Sequence, residues 1–224
     1  MFSKKIIIFL SSFILILFSL YLALSTYITT LAIKATRKLP EDNPASVGLV
    51  YQDVDFYSED GIKLSGWFVP NKNLNTVIII HGVDSNKSDS YILDLMKDTH
   101  DMGYSVFAFD LRAHGDSEGK NLGLAYEEKK DLLASIKFLK QEFDVQSIVL
   151  YGISYGGTIV VSNSNLDNSI KGIVVDSPFY DLPELLASEV SSRTFIPEFF
   201  ARLLKFGIIQ SIDLLYGIRT KDII

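Results

Sequence analysis

Residues 149–157, VLYGISYGG, impose the tightest backbone requirement in the chain. An apolar strand, Ser147 to Tyr151, runs into Gly152-Ile153-Ser154-Tyr155-Gly156 and then into a helix-compatible segment beginning Gly157-Thr158-Ile159. Strand, sharp turn and helix in that order are what a nucleophile elbow needs, with Ser154 at its tip. The glycines two residues before and after the serine have a steric reason. The turn holds the serine in a strained conformation, and side chains at those positions collide with neighbouring backbone. A glycine-rich turn that merely packs tightly has the same spacing, so the surrounding sequence has to decide between the two.

At 224 residues the chain is long enough for one sizeable domain plus an appendage. Its hydrophobic excess lies at the N-terminus, where residues 6–24 are 19 consecutive uncharged, mostly apolar positions, and the uncharged run continues to Ile33. At about 1.5 Å per residue, such a helix spans a bilayer core of about 30 Å. Residues 1–33 are therefore expected to form a transmembrane anchor. The rival is a cleavable signal peptide with Ala23-Leu24-Ser25 as its processing site, for which the apolar run is too long. Lys4 and Lys5 on one side roughly balance Lys34, Arg37 and Lys38 on the other, so charge does not orient the span. A short tail before a large domain behaves as a signal anchor, which puts the body outside the cytoplasm. The five basic residues in the first forty meet no acidic ones, which leaves the rest of the chain strongly acidic. That balance argues against a nucleic-acid partner. With no cysteine, disulfides and thiolate metal sites are excluded, and His81, His100 and His114 lack ligand-like spacing, so no metal is expected. No G-x-G-x-x-G or Walker sequence occurs, and no cofactor is expected.

Residues 34–50, with two prolines and little periodicity, read as a linker. Residues 51–57 and 62–69 alternate in character around Glu59-Asp60-Gly61 and predict a β-hairpin. Thr76 to Ile80 is a buried parallel strand ending in His81-Gly82, and Ser90 to Met102 is a helix closed by Gly103. Ser105 to Asp110 is another strand, and residues 124–143 carry apolar positions at helical spacing. The elbow follows, and then a strand from Ile170 to Val175. Strands alternating with helices imply right-handed βαβ units and a mostly parallel sheet covered on both faces. The fold class is α/β, with helices alone expected after Leu182.

Four pieces together resemble the α/β-hydrolase superfamily, in particular its bacterial membrane-anchored serine-aminopeptidase and esterase-like branch. They are His81-Gly82, Asp110 to Ser117 (DLRAHGDS), Gly152 to Gly157, and Asp176-Ser177-Pro178-Phe179. The resemblance covers residues 51–224, with 180–220 as a helical cap. It implies Ser154 as the nucleophile attacking an acyl ester or amide, and the backbone N–H groups of Tyr155 and Val83 as the oxyanion donors. It also implies that His81 shapes the oxyanion loop and His114 buttresses the loop after the fourth strand, neither acting as the base. Asp176 stands where a few branches place the triad acid; its alternative reading is a structural aspartate bonding the next turn.

The order implied by the fold is serine, acid, histidine, yet no histidine lies after residue 114. The resemblance therefore implies an α/β-hydrolase fold lacking its last two strands, with the sixth left as an apolar edge. Three readings stay open: a membrane-anchored serine hydrolase, C-terminally truncated and impaired for lack of a base; a catalytically dead remnant or binding module; and a split enzyme completed by a separate C-terminal chain. The partners expected are the lipid bilayer and an ester or peptide substrate of undefined identity.

Overall fold

The computed structural model describes residues 4–179, Ser191 and 197–218. The chain forms two compact units, Lys34–Tyr180 with Lys221–Ile224, and Met1–Ile33 with Asp181–Thr220.

The first of these is built on a six-stranded mixed sheet of β1 (Gln52–Tyr57), β2 (Lys63–Val69), β3 (Thr76–Ile80), β4 (Ser105–Phe109), β5 (Ile148–Ile153) and β6 (Ile170–Asp176), in the order β1-β2-β4-β3-β5-β6. β1 and β2 form the hairpin, with Tyr57 opposite Lys63, and β2 also runs antiparallel to β4. From β4 onward every pairing is parallel. Strand alternation sends two sets of side chains to opposite faces. Phe68, Ile78, Ile80, Phe107 and Phe109 pack with Leu132, Ile136 and Leu139 on one side. Trp67, Val69, Val77, Ile79 and Val106 pack with Ile92, Leu93 and Met96 on the other. The N-terminal helix of the chain being α1 (Lys4–Ala32), the covering helices are α2 (Ser90–Asp101), α3 (Glu128–Glu142) and α4 (Tyr155–Ser162). β3 is buried at all five positions because helices cover both faces of the sheet.

Two boundaries differ from the sequence expectation by more than one residue. α3 begins at Glu128 rather than 124, because Leu124 and Ala125 adopt φ of 56° and 63°, outside the helical region. β5 runs two residues past Tyr151, to Ile153, since Gly152 and Ile153 still pair with Val175 and Asp176. Residues 34–50 are tied down rather than free. Arg37 donates to the carbonyls of Gly115, Ser117 and Gly119, Asn86 Nδ2 donates to the Lys38 carbonyl, and Leu49 is buried among the Trp67 side-chain cluster.

In the second unit, α1 is accompanied by α5 (Glu198–Tyr216). Every residue of α1 from Lys4 to Leu20 is exposed, whereas Ser25, Ile28 and Thr29 are buried against α5. Of the expected cap at 180–220, residues 180–190, 192–196 and 219–220 lie outside the described residues.

Candidate active site

β5 delivers Ser154 to the end of the sheet at φ 51°, ψ −112°, a backbone conformation that a serine adopts only when its surroundings enforce it. The enforcement is steric on both flanks. A Cβ on Gly156 would stand 2.2 Å from the Ile80 carbonyl oxygen, and one on Gly152 would stand 2.4 Å from that of Gly156. The start of α4 thus presses directly on the end of β3, and only glycine permits it. The Ser154 amide donates to the Asp176 carbonyl at 2.7 Å, and the Ser154 carbonyl accepts from the Thr158 amide at 3.1 Å, so the turn is held from both sides.

Tyr155 is the first residue of α4, where an amide has no intrahelical acceptor. Among the described residues neither its N–H nor that of Val83 donates to another group. Gly82 runs beside the serine, since a Cβ built on it would lie 3.5 Å from Ser154 Cβ. The structure therefore brings Ser154, Tyr155, the 82–83 segment and Asp176 to one end of the sheet.

The histidines are differently employed. The Leu111 amide donates to His81 Nε2 at 3.0 Å, which places the ring proton on Nδ1, where it donates to the Gly82 carbonyl at 2.7 Å. His114 repeats the arrangement, accepting from the Asp84 amide at Nε2 and donating from Nδ1 to the Arg112 carbonyl. Burial holds both rings neutral. It pushes His81 below the usual imidazole range and, with the adjacent His81 ring adding to it, takes His114 to about 4. With both nitrogens committed to backbone, neither ring can take a proton from Ser154. His100 lies in the last turn of α2, its ring against the Pro70 carbonyl. The Asp176 carboxylate accepts from Tyr91 Oη at 3.1 Å and from Ser177 Oγ at 2.8 Å. The Tyr91 hydroxyl is pushed up to about 12, first by its hydrogen bond with Tyr151 and then by Asp176.

Two supports of the site have no signature in the sequence. Tyr155 Oη donates to Glu128 Oε1 at 2.8 Å and accepts from the Ala125 amide at 2.7 Å, so a buried carboxyl on α3 fixes the residue next to the serine. Burial, then the neighbouring Asp131 charge, raises Glu128 to about 7, and its Oε2 is buried with no partner. Lys87, in the loop after β3, is fully buried and reaches Asp110 Oδ2 at 2.5 Å and Asp116 Oδ2 at 2.8 Å. Both residues sit in charged, polar stretches that read as solvent-facing. No group of three or more metal-capable side chains occurs among the described residues. A groove of about 390 Å³ lined by Asp55, Tyr57, Lys130 and Lys137 includes no residue of β5 or the elbow.

Comparison with known proteins agrees with this architecture. The Pyrococcus furiosus esterase Pf2001 superposes with a TM-score of 0.68 at 30% identity, covering 79% of this chain and 68% of the esterase. GrgF, an α/β-hydrolase from Penicillium sp. sh18, has a TM-score of 0.56 at 22% identity over 65% of this chain and 53% of its own, a likeness of fold. Among curated sequences, the uncharacterized protein YqkD of Bacillus subtilis is 28% identical over 144 residues, 61% of this chain and 46% of that protein. The uncharacterized membrane protein YNL320W of Saccharomyces cerevisiae is 25% identical over 169 residues, 75% of this chain and 56% of that protein. The chain spans about half the length of the curated relatives it matches. The profile of the serine aminopeptidase S33 family matches residues 71–208, more than half of the chain, and the protein belongs to that family of α/β-hydrolases.

Proposed function

We propose that this chain carries the nucleophile half of a membrane-anchored serine hydrolase acting on acyl ester or amide bonds. The observation that supports it most is Ser154, strained at φ 51° beside two backbone amides, at Tyr155 and Val83, that donate to nothing else described. In this reading Ser154 Oγ bonds to the substrate carbonyl carbon, and the electron pair of the C=O moves onto oxygen, where the two amides stabilise it. Collapse expels the leaving group, which takes up the serine proton from the general base. Water then releases the acyl group from Ser154. An esterase as structural neighbour favours the ester as the bond cut. The anchor is α1, whose apolar run crosses a bilayer by length and is exposed along its first half, and a relative bears the name membrane protein. The charge balance of the flanks leaves an extracytoplasmic body as part of the proposal.

None of the three histidines of this sequence is placed to act as the general base, because His81 and His114 are saturated by backbone and His100 turns its ring to the Pro70 carbonyl. A further length of chain pairing with the outer edge of β6, in the same polypeptide or as a separate partner, is the proposed source of the base, with Asp176 as the acid already present. A second reading, a hydrolase scaffold that binds without turning over, is favoured by the same missing base. The two are separated by covalent labelling of the detergent-solubilised protein with a fluorophosphonate probe, beside Ser154→Ala. Labelling lost in Ser154→Ala supports an activated serine. Folded protein that does not label assigns this chain to the binding reading unless a complementing chain restores the reaction.

A further inference from the structure

We propose that α5 is a second membrane element: an interfacial helix clamped to α1 at the bilayer boundary, with Phe199, Leu203, Phe206 and Leu214 inserted among lipid acyl chains. The inference rests on α1 being a membrane span and adds to it a lipid-contacting role for a segment whose place in the fold suggests a cap.

The clamp is built from small and hydroxyl side chains. A Cβ on Gly207 would meet Ser25 Oγ at 2.3 Å and Tyr21 Cε1 at 2.9 Å, so the helix backbones approach as closely as glycine allows. The Gly207 amide donates to Tyr21 Oη at 2.9 Å, and Tyr21 Oη in turn donates to the Leu203 carbonyl at 3.3 Å. Thr26 Oγ1 lies 3.2 Å from Ser211 Oγ, and Thr29 Oγ1 donates to the carbonyls of Ser25 and Ile208. Small residues at the contact and hydroxyls bonding across it are how helices associate in lipid, where burial of apolar surface supplies no drive.

The depth of the crossing follows from helix geometry. From Ile6, the first apolar residue of α1, to Ser25 at the crossing is about 28 Å along the axis, close to the bilayer hydrocarbon thickness of about 30 Å. α5 therefore meets α1 at the membrane boundary, not at its centre. Its sequence fits that level. Leu204, Ile208, Ser211 and Ile212 are buried, and the Ile208 carbonyl and Ser211 Oγ meet α1. Arg202, Lys205 and Asp213 share a second arc by their spacing, and charges there exclude a full span. A third arc holds Phe199, Leu203, Phe206 and Leu214, which are 66, 56, 69 and 84% exposed. A helix already buried on one face has no need of this stripe for its own packing, and α1, exposed from Lys4 to Leu20, presents its apolar surface in the same unit. Lipid covers both with one continuous apolar phase.

The absence of cysteine makes the test direct. Single cysteines at Phe206, at Phe13 in α1 and at the exposed Lys72 are labelled with an environment-sensitive fluorophore in the full chain, reconstituted into phosphatidylcholine/phosphatidylglycerol vesicles. The expected result is that labels at 13 and 206 are quenched by nitroxide on lipid acyl chains and show a severalfold lower iodide quenching than the label at 72. In Thr26→Cys/Ser211→Cys, oxidation should cross-link the two helices within the membrane. A label at 206 that behaves like the one at 72, while 13 is lipid-quenched, overturns the inference and leaves the anchor standing. A label at 13 open to iodide overturns the anchor and the inference together. Protection at 206 from both quenchers means that protein covers the stripe, a second copy included, and overturns the lipid assignment. Failure of the cross-link overturns the clamp.

Discussion

Ser154 shows at the scale of one residue what the elbow costs. A non-glycine residue at φ 51°, ψ −112° carries roughly 1–3 kcal/mol of backbone strain. Replacing it by glycine removes the strain together with the hydroxyl. Ser154→Gly should raise the melting temperature by about 2–4 °C, the effect of about 1 kcal/mol in a chain of this size, and Ser154→Ala should not; differential scanning fluorimetry compares them. Glu128 carries a second prediction. Its folded value of about 7 exceeds the unfolded value of about 4.3, so it stabilises the fold fully below the lower value and loses that contribution as pH rises through about 7. His114 works in the opposite sense. Its folded value of about 4 lies below the unfolded 6.5, so its contribution is complete above about 6.5 and is lost as pH falls towards 4. The two slopes offset each other in the wild type. Glu128→Gln keeps an acceptor for Tyr155 Oη and the Gly123 amide but cannot titrate. Its stability should rise with pH from about 5 to 6.5 and exceed the wild type at pH 8 by on the order of 2 kcal/mol, read from denaturation curves across that range.

At the scale of elements, the loops after β3 and β4 are the parts that polar burial organises. Lys87 ties them together. Its amide and ammonium both reach Asp110, at 2.8 and 2.5 Å, and the Asp116 amide donates to the same carboxylate at 2.9 Å. Arg112 adds a bidentate pair to Asp131 at the start of α3 and another to Asp60 in the β1–β2 turn. Removing one partner of a buried pair leaves a charge without compensation. Lys87→Met should therefore cost about 3–5 kcal/mol in chemical denaturation, and Lys87→Met/Asp110→Asn should recover most of it. Equal losses in the single and double variants would mean that the pair does not couple the loops. This element-level network was not legible in the sequence. DLRAHGDS stands out as a motif, but its partners Lys87, Asp60 and Asp131 come from three distant segments that read as exposed polar chain.

For the whole molecule, β6 is the outer strand of the sheet among the described residues. It pairs with β5 alone among the described residues, and Ile173, Val174 and Val175 are 40, 45 and 37% exposed. An apolar, one-sided edge strand is a template for further pairing. Val174→Lys should lower self-association in sedimentation equilibrium while leaving the melting temperature within about 1–2 °C of wild type, because a surface change away from the core moves stability by about 0.5 kcal/mol or less. The order of strands and helices, the hairpin, the elbow and the apolar N-terminal helix follow from the sequence by itself. Each depends on local information: a period of two or 3.6 residues, glycines at fixed offsets from a serine, an uninterrupted run of apolar positions. Tertiary structure alone decided which polar groups are inside, because burial depends on what is packed against a residue from far along the chain. Thus Glu128 sits beneath Tyr155, Lys87 is enclosed by Asp110 and Asp116, and backbone groups occupy both nitrogens of His81 and His114. The same reason explains α5. Its apolar residues announce a packed helix in the sequence, but only the fit of Gly207 against Ser25 shows that its buried face is turned to α1.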